Sequence, residues 1–101
     1  MITLLPTLTT ESAAFLAPSR FDVHVVESFQ LWLVSHHLDA HLVVDLSAVV
    51  FLDLSTVEAL TDAMQRRAEL HGSLRLTNLS AAARITLEML GIHERQLATA
   101  A

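Results

Sequence analysis

The chain has 101 residues, 52% of them apolar, a net charge of −5 and only six Lys and Arg. That length fits one domain, 1–101, with a core rich enough to fold alone, and the lack of clustered basic residues excludes a nucleic-acid surface. The absence of cysteine excludes disulfide frameworks, thiol catalysis and Cys-ligated zinc, and fits a cytoplasmic protein.

The first 21 residues carry two short apolar stretches. Ile2 to Leu8, broken by Pro6, reads as an edge strand, where proline is tolerated. Ala13 to Ala17, ended by Pro18, reads as a second strand. Met1 to Ala17 has no basic start and is interrupted by Glu11, so no export signal is expected. No apolar run approaches the roughly 18 residues that membrane insertion requires.

Residues 22–36 open with Asp22, a good N-cap, followed by Val23, Val25, Val26, Phe29, Trp32 and Leu33. Their three- and four-residue spacing predicts an amphipathic helix with a broad apolar face. Trp32 is assigned to the core, and the surplus apolar surface admits a homodimer or partner contact. Leu42-Val43-Val44-Asp45-Leu46 predicts a central strand buried on both faces. Ser55-Thr56-Val57-Glu58 matches a capping box and predicts a helix beginning at Ser55. Val57, Leu60, Met64 and Ala68 form its inward stripe, and Asp62, Arg66, Arg67 and Glu69 its solvated face. Gly72 supplies the positive φ that ends this helix. Leu74-Arg75-Leu76 alternates as a strand. Ser80 begins a third helix, with Ile85, Met89 and Leu90 as core contacts and Gly91 as its stop. The remaining tail forms a last strand turn or frays. The order β-β-α-β-α-β-α with parallel crossovers defines a small α/β layer fold, a mixed sheet of about four strands packed by helices.

Two clusters invite chemistry. His36-His37-Leu38-Asp39-Ala40-His41 offers nitrogen and oxygen ligands. It also spans a helix end, a turn and a strand start, where the helix dipole favours His. No metal site or other cofactor is expected. Ser47 and Ser55 lack a visible His–Asp partnership, and no Gly-rich phosphate loop or paired carboxylates occur, so the chain is not read as an enzyme.

The stretch His41-Leu-Val-Val-Asp-Leu-Ser-Ala-Val-Val-Phe-Leu-Asp53-Leu-Ser55-Thr-Val-Glu-Ala-Leu60 resembles STAS domains. There, a buried strand leads through a short apolar loop to an Asp and then at once to a helix. Pro18 to Asp22, Leu74 to Asn78 and Ala82 to Ile92 are similar to the flanking family segments. Many bacterial members are anti-sigma factor antagonists. They bind a kinase-type anti-sigma factor and are switched off when it phosphorylates a Ser at the helix start. Others belong to stress-signalling assemblies or are small subunits of lipid-transport ABC complexes.

The family pattern at this point is Asp, Ser, Ser or Thr, Gly. Here the register gives Asp53, Leu54, Ser55, Thr56, so Leu54 stands at the usual acceptor position and Ser55 at the second hydroxyl. The resemblance therefore implies a protein-binding module in signal transduction and transcription regulation. Asp53 and Ser55 carry over from the family pattern; Leu54, expected to face solvent, and Glu58 complete the expected partner-binding set, and Ser55 and Thr56 are the phosphorylation candidates. A bland role for Ser55 is the helix N-cap, and for Asp53 a cap of the turn. The alternatives are an ABC subunit contacting its ATPase partner, which the short tail after Gly91 suits, and a non-phosphorylated scaffold component.

Overall fold

The structure, a computed structural model, describes residues 9–90. Three strands, β1 (Thr9–Leu16), β3 (Asp39–Asp45) and β5 (Ser73–Thr77), form a parallel sheet in the order β1-β3-β5. Two short strands, β2 (Arg20–Phe21) and β4 (Phe51–Leu52), form a second parallel pair. The helices are α1 (Val23–Ser35), α2 (Leu54–Glu69) and α3 (Ala81–Met89). Parallel neighbours require crossovers, and α1 and α2 provide them. The small α/β architecture is as the sequence predicts. All strand pairings among the described residues are parallel. The strand expected at Ile2–Leu8, the Gly91 stop and the tail lie outside the described residues.

Phe21, Phe29, Leu42, Val44, Leu46, Leu60, Leu74 and Leu87 are almost fully inaccessible and form the core. Phe29 stacks on Trp32 at 6.0 Å and meets Phe15 edge-on at 5.2 Å, so Trp32 does pack against the core. Other placements depart from the periodicity. Val23 faces outward, leaving Phe29 as the deepest residue of α1. In β3, Ala40, Leu42 and Val44 are buried while His41 is exposed and Val43 half-buried. The central strand therefore closes one face, not both. In α3, Ala83 and Leu87 point inward, whereas Ile85, Met89 and Leu90 are exposed. Ser80 does cap this helix, accepting from the Ala83 amide at 3.0 Å.

The end of α2 corrects two further expectations. His71, at φ 63°, adopts the left-handed conformation that the sequence assigns to Gly72. The His71 amide donates to the Ala68 carbonyl, and the Gly72 amide to that of Arg67, at 2.9 and 3.0 Å. This is a Schellman closure with a histidine in the left-handed position. Gly72 is needed for a different reason. A Cβ there would overlap the Ala40 carbonyl oxygen of β3. Ala68 is exposed, and Arg67, expected on the solvated face, is buried. Its Nη1 donates to the carbonyls of His37 and Asp39 at 3.2 and 2.9 Å. Hydrogen bonding to these carbonyls makes an inward arginine tolerable.

Candidate protein-docking site

The site is built where β4 runs into α2. Val50 and Phe51 donate their amides to the Ser19 carbonyl, and Leu52 pairs with Phe21 and is buried. This anchoring leaves Asp53 extended, at φ −109° and ψ 173°, as the N-cap of α2. The helix accordingly starts at Leu54, not Ser55, and Ser55 is not the cap. Sequence spacing permitted both choices, since Asp53 and Thr56 stand three apart just as Ser55 and Glu58 do.

Asp53 gathers donors from two elements. Its Oδ1 accepts from the amide and the hydroxyl of Thr56, each at 2.9 Å. Its Oδ2 accepts from the amide of Val23, the first residue of α1, at 3.0 Å. One carboxylate thus joins the starts of α1 and α2. Burial pushes the Asp53 carboxyl up, but the donors from Thr56 and Val23 outweigh it and hold the group below its ordinary value.

Thr56 points inward and is fully buried. Its hydroxyl oxygen lies 2.9 Å from both the Phe21 carbonyl oxygen and Asp53 Oδ1, two acceptors that share its single proton. This fixes α2 against β2 and withdraws that hydroxyl from any kinase. Ser55, by contrast, is exposed, as is Glu58 on the next turn. Leu52, which the sequence places beside Leu54, turns into the core.

The surface around this turn is apolar. Val50 is 70%, Leu54 57%, Val23 54% and Phe51 40% exposed, so these side chains lie on the surface and not in the core. The Arg20 guanidinium lies 4.7 Å from the Phe51 ring centroid, while its Nε pairs with Asp22 Oδ2 at 3.0 Å. Asp22 also caps α1 through the His24 amide. Val50 and Arg20 were missed from the sequence. Only the β2–β4 pairing brings residue 20 beside residue 51, and two-residue strands carry little periodic signal.

The histidine cluster has separate partners. His36 Nδ1 meets Asp39 Oδ2 at 2.7 Å, and His41 Nδ1 meets Ser73 Oγ at 2.9 Å. Among the described residues no group of three or more His, Cys, Asp or Glu side chains could hold a metal ion. No helix among them is long and apolar enough to cross a membrane.

A strand, a short apolar turn, a capping Asp and a helix beginning beside it make up the site. The family model for the STAS domain matches residues 9–99. The chain belongs to the STAS domain family. No curated protein and no solved structure gives a significant match.

Proposed function

We propose that the protein is a cytoplasmic regulatory binding module of the anti-sigma factor antagonist type. It acts by docking a kinase-type anti-sigma factor, not by catalysis. The docking surface is the turn and helix start formed by Asp53, Leu54, Ser55 and Glu58, with Val50 and Phe51 beside them. The observation that carries this reading is Leu54, more than half exposed on a helix start that Asp53 holds rigidly. An apolar side chain presented on a fixed backbone suits a contact, because burying it against a partner gains its transfer free energy at little ordering cost.

Ser55 is the regulatory hydroxyl in this reading. It is exposed, one residue beyond Leu54. A phosphate there would add about −1.5 to −2 charge next to the apolar patch. Glu58, one turn on, already contributes a negative charge. The modified surface would therefore repel an apolar or acidic partner.

A second reading is favoured by Leu54 itself, which carries no hydroxyl to modify at the position where relatives place one. Docking would then be constitutive, as in a small subunit seated on the ATPase of a lipid-transport ABC complex.

Affinity capture from native lysate with the unaltered chain and with Leu54→Asp, followed by mass spectrometry, separates the readings. A kinase-type anti-sigma factor retained by the first and lost by the second supports the proposal. Recovery of ABC subunits, with Ser55 unmodified, replaces it with the transport reading. Equal retention of the partner by both proteins removes this surface from the argument.

A further inference from the structure

The outer face of α1 carries apolar side chains that the fold leaves uncovered. Leu31 is 62% and Val34 68% exposed, and Leu38, in the turn after the helix, is exposed too. Their spacing of i, i+3 and i+7 aligns them as one ridge, on the side of α1 opposite the buried Phe29. No Asp, Glu, Lys or Arg occurs from Ser28 to Leu38, although the chain carries a net charge of −5. Depletion of charge around exposed apolar side chains marks the centre of an interface more than ordinary surface.

The ridge borders a groove. Between α1 and α2 lies a cavity of about 470 Å³, with Leu33, Val34, Ala63 and Leu70 among its lining residues. Leu70, just past the end of α2, is itself more than half exposed. The charges beside the groove are already balanced. Arg66 Nε pairs with Asp62 at 2.8 Å, and Arg67 is turned onto the carbonyls of His37 and Asp39. What the groove has to offer a visitor is apolar contact.

We propose that this face is the interface of a two-fold homodimer, with α1 packed antiparallel on α1 of a second copy. A ridge beside a groove is self-complementary under a two-fold axis, because each copy's ridge enters the other's groove. Leu31, Val34 and Leu38 are centred on position 34. An axis there brings Val34 onto Val34 of the second copy and Leu31 onto its Leu38. The same axis holds the two Glu27 side chains about 20 Å apart at 1.5 Å per residue, whereas a parallel pairing would oppose them. The exposed apolar side chains and their polar rim can bury about 1,200 Å² in total, the lower limit for specific interfaces. The dimer is therefore reversible, with a dissociation constant of about 10–100 μM. Two copies of like net charge repel each other, and salt screens that repulsion but not the apolar contact, so association tightens as salt is raised.

The test is sedimentation velocity of the purified chain from about 5 to about 500 μM, a range that spans the expected constant. A concentration-dependent shift from monomer to dimer, stronger at high salt, is expected. Val34→Asp buries two carboxylates at the axis and should weaken the dimer at least about tenfold, while the melting temperature of the monomer stays unchanged because the position is exposed. The chain has no cysteine, so single-cysteine variants report the geometry cleanly. Under mild oxidation Val34→Cys should cross-link to itself, and Glu27→Cys should not. Leu54→Asp, at the opposite end of α2, should leave dimerisation unaltered, and no partner protein is present, so failure here and failure of the docking proposal are separable. A monomer at every concentration would overturn the proposal and leave the face to a different protein. A dimer undiminished in Val34→Asp, or cross-linking of Glu27→Cys in preference to Val34→Cys, would also overturn it.

Discussion

Replacing Asp53 with Ala tests the joint between the two helix starts. The substitution removes the cap of α2, worth about 1 kcal/mol, and a charged acceptor for the Val23 amide. The Val23 amide is accessible to water, so its loss adds only about 0.5–1 kcal/mol. The Thr56 hydroxyl keeps the Phe21 carbonyl and loses little. The expected destabilisation is therefore about 2 kcal/mol, or roughly 8–16 °C for a domain of this size. Urea denaturation followed by the fluorescence of Trp32, the single tryptophan, measures it directly. Asp53→Asn should lie between, because its amide nitrogen cannot accept from one of the donors that the carboxylate holds. The carboxyl is held below its ordinary value, so its stabilisation is complete above the unfolded value near 3.9 and is lost as pH falls through the folded one. The gap between the natural chain and Asp53→Ala should accordingly be constant near neutrality and close in acid. A loss below about 0.5 kcal/mol at pH 7, or a gap that widens in acid, would refute the joint.

Other substitutions probe separate features. Thr56→Val keeps the shape but strands the Phe21 carbonyl, and should cost about 1–3 kcal/mol by the same denaturation assay. Gly72→Ala must displace β3 at Ala40, and should lower stability by about 2–3 kcal/mol, whereas a neutral result would mean the strand yields freely. In α3, Leu87→Ala should cost about 2–5 kcal/mol. Ile85→Ala should stay within about 0.5 kcal/mol, and the reverse order would restore the facing read from the sequence.

Much of the fold was legible because its signals are local and strong. Asp22 and Ser80 announce their helices, and the Leu42–Leu46 run marks the central strand, since cap chemistry and β-branched clustering act within a few residues. The facing of side chains was less legible. Ile85 and Leu87 are both aliphatic, and only the position of α3 against β4 and the core decides which is covered. The turn at Asp53 shows the same limit. Two overlapping capping patterns lie in Asp53–Glu58, and the choice falls to Leu52, whose pairing with Phe21 fixes where the extended chain must end. Arg67 was assigned to solvent because arginines usually are. Its burial depends on carbonyls 28 and 30 residues away, which no local pattern contains.

The pinning of β4 by the Ser19 carbonyl has a kinetic consequence. If the proposed docking holds, then with Phe51 and Leu54 already in place an arriving partner need not wait for a loop to find its shape. Encounter would be limited by diffusion and orientation alone. Exchanging one apolar side chain for another at Leu54 should then change how long a complex lasts far more than how fast it forms. Residence time at this surface could be tuned by a single residue while the scaffold beneath it stays the same.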